Sequence, residues 1–207
     1  GLPNGFINEV LQEAAGHDLV AVLHTEDSSV CEVITEAFKQ EGNGEPEYYP
    51  MSRPDYAEAM AADDALTMAM EAGCRYYGIH TTCRKAAEVI EDHRDDYHDR
   101  VRAETCTQYT VADDSLFSEV GLLPMAAPPL RKPDDSEAMF EHLDQGTLDV
   151  VSTDHCGYTE ESKHTENWWD SKFGANALQT NLPVFHDEAV NRRDFSYPFL
   201  VRKLCRN

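Results

Sequence analysis

The chain has 207 residues, and 41% of them are apolar, so it is long enough and apolar enough to bury the core of a globular domain. Its 39 acidic residues outnumber 17 lysines and arginines and give a formal net charge of −22. A field this negative repels nucleic acid and anionic membranes, so we expect neither as a partner. The longest apolar runs, such as residues 19–23 and 122–125, are too short to cross a bilayer, and residues 1–16 lack a signal core. We therefore expect a cytoplasmic protein.

The acidic residues are spread over the predicted helices and do not form a terminal tail. Self-repulsion of this size is best tolerated where counterions screen it. The composition therefore favours a halophilic source.

Helical and strand-like patterns alternate along the chain, which predicts parallel β/α units. In the first half, the apolar spacing and the flanking glycines and serines predict three helices and two strands. The helices are expected at residues 5–15, 28–39, with Ser28 or Ser29 as its cap, and 55–72. The strands are expected at 19–23, which should be buried, and at 75–79.

The second half continues the alternation. We predict helices at 82–91 and 135–143, strands at 101–104 and 148–152, and two terminal helices at 176–190 and 196–206. Four prolines make 123–133 a stiff loop, and 92–100 and 155–175 are charged or polar connections. Four parallel units do not close a barrel, which needs about eight strands. The pattern predicts the carboxyl-terminal half of a barrel, with an open four-stranded sheet as the alternative.

Six cysteines lack the close pairing of a zinc ribbon or a redox dithiol, so we expect reduced and mostly buried thiols. Cys106 and Cys156 lie just past two predicted strands and could approach a site there. Since no base partner is evident for either, we assign neither a catalytic role.

Three side chains follow apolar runs of strand length: His24, His80 and Asp154. The carboxyl ends of parallel strands are where an α/β barrel keeps its chemistry, so the three would share one site. Two imidazoles and a carboxylate suit zinc, manganese or another divalent ion that activates water. The residues therefore predict a metal-dependent hydrolase.

Seven stretches in this order resemble the cyclic amidohydrolases, most closely the hydantoinase and dihydropyrimidinase branch. They are His24-Thr-Glu-Asp, Ser52-Arg-Pro with Glu58 downstream, Tyr77-Gly-Ile-His80, residues 103–109, Ala127-Pro-Pro-Leu-Arg131, Thr153-Asp-His155, and residues 174–190. The resemblance implies an α/β fold, the (β/α)8 TIM barrel of the metal-dependent amidohydrolases. Residues 1–207 would be one domain that supplies about strands 5 to 8, with the amino-terminal half absent.

The resemblance also implies site roles. Two divalent metal ions, zinc in most members and manganese as the alternative, would be held with His24 and His80 on one ion and Asp154 on the other. Asp154 would act as general base and then acid, and backbone groups of Asn176 would hold the substrate. The implied reaction opens a hydantoin or dihydropyrimidine ring, so the partner is a small cyclic amide. A homotetramer or homodimer is implied as well.

The chain departs from the family pattern in ways that keep alternatives open. A His-x-His pair and a bridging lysine, which the family carries on earlier strands, are not found in this sequence, and Ala127 stands where hydantoinases often have serine. We therefore expect the isolated chain to be inactive. The alternatives are an allantoinase or dihydroorotase-like hydrolase, and a non-catalytic dihydropyrimidinase-like scaffold or fragment.

Supporting roles are predicted for further side chains. Glu26 is expected either to accept a hydrogen bond from a ligand imidazole or to be a helix-initiating charge. We expect Glu104 to bond loop amides and Arg131 to pair with an acid across the barrel mouth. Trp168 and Trp169 would shade the substrate pocket or form a lid or subunit contact.

Overall fold

A computed structural model describes residues 1–97 and 99–206. Its described part contains one parallel sheet of four strands in the order β1 (Val20–Leu23), β2 (Arg75–Gly78), β3 (Val101–Cys106) and β4 (Val150–Ser152). Each strand pairs with the next one along the chain, as in a barrel wall, whereas a doubly wound sheet reverses its order. The predicted four strands are confirmed.

Ten α-helices in the described residues connect and cover these strands. They are α1 (Asn4–Gly16), α2 (Ser28–Glu41), α3 (Tyr48–Met51), α4 (Asp55–Ala72), α5 (Arg84–Tyr97), α6 (Thr107–Val111), α7 (Leu116–Val120), α8 (Pro133–Gln145), α9 (Asn181–His186) and α10 (Tyr197–Val201). Short 3-10 turns span Glu160–Lys163 and Trp168–Asp170, and π-helical turns extend α9 and α10 over Asp187–Arg192 and Arg202–Arg206. None of the helices described has the length and apolar character to cross a membrane.

The helix boundaries differ from the predicted ones in three places. Helix α2 is capped by Asp27, whose carboxylate accepts from the Val30 amide at 3.0 Å, and neither serine serves as the cap. Helix α5 takes up most of the charged stretch predicted at 92–100, because its charges lie opposite a buried face that includes Ala87 and Ile90. Residue 98 of that stretch lies outside the described residues. Residues 176–180 are not helical.

The first strand is less buried than the sequence predicts. Val20 and Val22 of β1 are 47% and 57% exposed, because β1 lies at the edge of the sheet and pairs with β2 alone among the described strands. By contrast, Tyr76 of β2 and Val101 of β3 are fully buried under the helices. The prediction of a buried first strand is therefore wrong, and an apolar strand edge remains uncovered.

The polar connection at 155–175 is tied to the rest of the domain. Trp168 is 2% exposed and its indole Nε1 donates to the Asn43 carbonyl at 3.0 Å. Lys163 is buried and its Nζ donates to the Leu123 and Met125 carbonyls at 2.8 Å each. Trp168 is thus a core residue, and because Trp168 and Trp169 also line the cavity next to His24, their role as a cover for a substrate pocket stays a prediction.

Candidate active site

The three predicted site residues lie at the carboxyl-terminal edge of the sheet. His24 directly follows β1, while His80 and Asp154 each come two residues after their strands. The backbone of His80 (φ 39°) and of Asp154 (φ 43°) is left-handed. Residues other than glycine adopt this conformation at a cost, and such residues cluster at functional sites. Two of the three candidates therefore carry a backbone feature that their sequence pattern does not show.

The structure brings the two histidines together. Nδ1 of His24 lies 2.9 Å from Nε2 of His80, and the rings meet edge to face with centroids 4.7 Å apart. Burial, reinforced by the charge of neighbouring His24, lowers the pKa of His80 to about 4. His80 is therefore neutral at physiological pH, which is the form that binds metals.

Asp154 lies at the same edge of the sheet, after β4. Its side chain is at an exposed position, and its negative charge favours protonated His80, which partly opposes the fall in the pKa of that imidazole. Within residues 1–97 and 99–206, no three His, Cys, Asp or Glu side chains are already assembled as a metal cluster. The two convergent imidazoles are nitrogen donors of the kind that zinc takes, so they fit part of a site for a divalent ion, and Asp154 as a further ligand stays a prediction.

Glu26 orients His24. Its carboxylate Oε2 accepts from His24 Nε2 at 3.1 Å and from Arg53 Nη1 at 2.5 Å, and its side chain is 2% exposed. Burial opposes its ionisation, but the hydrogen bond from His24 and the charge of Arg53 together hold the pKa of Glu26 below its ordinary value. Since Asp27 caps α2, Glu26 has the first of its two predicted roles, accepting a hydrogen bond from the imidazole of His24, whose role as a metal ligand stays a prediction.

Arg131 pairs with an acid, as predicted, and the acid is Glu58 on α4. Arg131 Nη2 donates to Glu58 Oε2 at 2.7 Å, and the two side chains are 6% and 2% exposed. Arg131 Nε also donates to the Thr82 hydroxyl at 2.9 Å. Sequence reasoning gave Glu58 no role of its own. The available signal was a single acid on the apolar face of α4 that also buries Ala62 and Leu66.

Glu104 does not bond loop amides, so that prediction is wrong. It points to neighbouring strands, where Oε2 accepts from the Tyr77 hydroxyl and Oε1 from the Ser152 hydroxyl, each at 2.7 Å. Cys106 Sγ lies 3.2 Å from Ser152 Oγ, and burial strongly raises the pKa of this thiol. Glu104 therefore links β2, β3 and β4 through side chains, and Cys106 is not an activated nucleophile.

Asn176 lies next to the segment that follows Asp154. His155 pairs with Ala175 in an isolated parallel bridge, and the Cys156 amide donates to the Ala175 carbonyl at 3.0 Å. The exposed Asn176 side chain donates to the Tyr158 carbonyl at 2.9 Å, which leaves its role towards a substrate a prediction. His155 accepts from the Leu178 amide at 3.3 Å and so fixes the loop.

Comparison with known proteins gives consistent relatives. The chain is 31% identical to the allantoinase of Salmonella gallinarum over 196 residues, which are 95% of this chain and 43% of that protein. It superposes on the L-hydantoinase (dihydropyrimidinase) of Arthrobacter aurescens with a TM-score of 0.93 at 28% identity, covering 99% of this chain and 46% of that one. For the dihydropyrimidinase of Brevibacillus agri the TM-score is 0.91 at 25% identity, and the match covers 95% of this chain and 44% of that one. No protein-family model matches the chain. The chain thus spans less than half the length of these relatives.

Proposed function

We propose that the chain is the carboxyl-terminal half of a cyclic amidohydrolase barrel, about strands 5 to 8, and that it supplies half of a site that hydrolyses a cyclic amide C–N bond. The similarity in sequence and fold to an allantoinase and to hydantoinases supports this proposal. The substrate class would be a hydantoin or a dihydropyrimidine. The observation that carries the proposal is the approach of His24 Nδ1 to His80 Nε2, 2.9 Å apart at the carboxyl ends of neighbouring strands. This is the face on which such barrels perform catalysis.

In this proposal His24, His80 and Asp154 hold two divalent ions, zinc or manganese. The ions, when bound, would lower the pKa of the attacking water and polarise the substrate carbonyl. Asp154 takes a proton from that water and delivers it to the ring nitrogen as the C–N bond breaks. Its exposed position leaves the carboxylate open to water and substrate. Backbone groups of Asn176 hold the ring amide.

A second candidate is allantoinase activity, which the 31% identity to the Salmonella gallinarum enzyme favours. Allantoin itself contains a hydantoin ring, so the same site chemistry serves both reactions. Measuring kcat/KM for a 5-substituted hydantoin, dihydrouracil and allantoin under the same conditions separates the candidates, since the preferred ring identifies the substrate class. Absence of ring opening of all three by a barrel that has bound its metals would favour the non-catalytic scaffold instead.

We propose that residues 1–207 are one domain whose barrel is completed by further β/α units, which carry a His-x-His pair and a bridging lysine. Coding DNA before Gly1 that encodes these ligands would support the proposal. A strand there without them would leave a half-site and favour a scaffold.

We predict that the 207-residue chain alone shows no hydantoinase turnover with added zinc or manganese, because it holds only part of the ligand set. The measurement is an assay of ring opening with the purified chain, with His80→Ala as the matched variant. Ring opening that His80→Ala abolishes would contradict this prediction.

We further propose that the net charge of −22 is an adaptation to a cytoplasm rich in salt. Molar potassium chloride screens repulsion between the acidic side chains, so the thermal unfolding midpoint should rise between 0.1 and 2 M KCl. A neutral osmolyte at equal osmolality is the control for general solute exclusion. A midpoint that rises no more in KCl than in the osmolyte counts against the idea.

A homotetramer or homodimer is also part of the proposal, because the resemblance to the cyclic amidohydrolases implies one. Sedimentation of the completed barrel at micromolar concentration gives the subunit number directly. A monomer there would remove the oligomer from the proposal and leave the site unaffected.

A further inference from the structure

Two ion pairs, joined through one backbone carbonyl, lie behind the two histidines. Glu58 pairs with Arg131, and Glu26 pairs with Arg53. The two pairs are joined because Arg131 Nη1 donates to the backbone carbonyl of Arg53. Both carboxylates are 2% exposed and Arg131 is 6% exposed, whereas the Arg53 side chain, at 24%, is partly open to water.

One end of this network reaches His24 and the other reaches the segment after His80. Glu26 Oε2 accepts from His24 Nε2 at 3.1 Å. Glu58 accepts from both the amide and the hydroxyl of Thr82, which follows His80 by two residues, and the amide contact is 2.8 Å. The network therefore contacts His24 directly and contacts the segment that carries His80 through Thr82.

Stability alone is a poor explanation for such a network. Removing charges from water costs free energy that a buried ion pair often fails to recover, and apolar replacements are frequently as stable. In addition, Oε1 of Glu26 is buried and has no hydrogen-bond partner among the described residues. The two pairs are therefore better explained by a role in the site than by stability alone.

We propose that this network, Glu58–Arg131–Arg53–Glu26, positions the two histidines. It fixes His24 in the tautomer that carries its hydrogen on Nε2 and none on Nδ1, and it holds the segment that carries His80. The inference rests on the proposed function only where it treats the histidines as metal ligands. The four residues are positioning residues and do not touch the substrate.

The expected tautomer follows from the contacts. A carboxylate can only accept, so the hydrogen between Glu26 and His24 must be on His24 Nε2. A neutral imidazole carries one hydrogen, so His24 Nδ1 is left as an acceptor and His80 Nε2 donates to it across the 2.9 Å contact. Both nitrogens that face each other could then bind a metal once His80 changes tautomer and carries its hydrogen on Nδ1 in place of Nε2.

The first test reads the tautomer without any metal, by histidine 15N NMR of the metal-free protein. We expect His24 to carry its hydrogen on Nε2, and we expect Glu26→Leu to shift it substantially towards Nδ1. The double variant Glu26→Leu/Arg53→Met removes the unpaired cation if the single variant does not fold. Glu137→Leu, which removes the exposed partner of Arg193, is the control and should change nothing. His24 protonated on Nδ1 in the unmodified protein, or a population unchanged by both Glu26 variants, overturns the proposal.

The second test reads metal affinity by calorimetry with Zn²⁺ alone. The double variant Glu58→Gln/Arg131→Met removes both buried charges, so it should keep the unfolding midpoint of the metal-free protein. We expect it to bind Zn²⁺ roughly 10- to 100-fold more weakly, the usual effect of losing outer support for a ligand. An affinity within about 3-fold of the unmodified protein overturns the role at His80.

The two tests separate the inference from the proposed function. The proposed function fails if the unmodified protein binds no Zn²⁺, or if His80→Ala binds Zn²⁺ equally well. In that case the tautomer measurement still decides the inference. If Zn²⁺ binds at the histidines but no variant of the network alters tautomer or affinity, the inference fails and the proposed function stands.

Discussion

Replacing Asp154 by asparagine in the completed barrel should lower kcat for ring opening by about 10²- to 10⁴-fold, the usual contribution of a general acid–base group. Asparagine has the same shape, tolerates the left-handed backbone seen at this position (φ 43°) and cannot carry the proton. Because Asp154 is exposed, the unfolding midpoint should change little. The measurement is a steady-state assay of the variant and the unmodified enzyme at equal metal content.

Asp18→Asn provides the matched control. Asp18 is also an exposed aspartate with a left-handed backbone (φ 54°), but it precedes β1 and so lies at the opposite end of the strands from the histidines. Its contact with Arg75 is largely exposed, so its loss should be tolerated. Asp154→Asn activity within tenfold of the unmodified enzyme would remove the proton-transfer role from Asp154.

The position of the site could be predicted because it depends on a local pattern. An apolar run followed by a histidine or aspartate places that side chain at the carboxyl end of a strand, and parallel strands bring these ends to one edge. The sequence therefore predicted that His24 and His80 would meet, and they lie 2.9 Å apart. The assignment of Asp154 as a ligand stays a prediction.

The support behind the site could not be predicted in the same way. Glu58 lies 73 residues before Arg131 in sequence, and Glu26 lies 27 before Arg53, so no spacing rule connects them. The direction of Glu104 depends on two partners, Tyr77 and Ser152, that lie on different strands. Such contacts are set by tertiary packing, which a local pattern does not contain.

The exposure of β1 shows another limit. Its run of Val, Ala, Val and Leu has the composition of a strand covered on both faces, yet it shows alternating exposure at the edge of the described sheet. Apolar content predicts what a strand can bury, and the neighbouring strands and helices decide what it does bury. The same strand would be covered in a closed barrel.

Arg131→Met should lower the free energy of unfolding by about 3–5 kcal/mol, because it leaves the Glu58 carboxylate buried without its cation. Burial raises the pKa of Glu58, and the charge of Arg131 opposes that rise. Without Arg131 the pKa in the folded state rises further above that in the unfolded state. A carboxyl whose pKa is higher in the folded state than in the unfolded state lowers the free energy of unfolding at pH values above its unfolded-state pKa. This loss becomes smaller as the pH falls.

Urea unfolding of the variant at pH 8 and pH 5 checks both parts of this expectation, since the deficit should be smaller at pH 5. Arg84→Met is the control, because it breaks the Arg84–Glu141 pair, whose side chains are 40% and 50% exposed, and such pairs contribute about 0–1 kcal/mol. The buried-charge explanation would be contradicted if the two variants lost equal free energies of unfolding. It would also be contradicted if the loss for Arg131→Met were larger at pH 5 than at pH 8. A large loss confined to Arg131→Met would show that the network behind the histidines depends on the match between its charges.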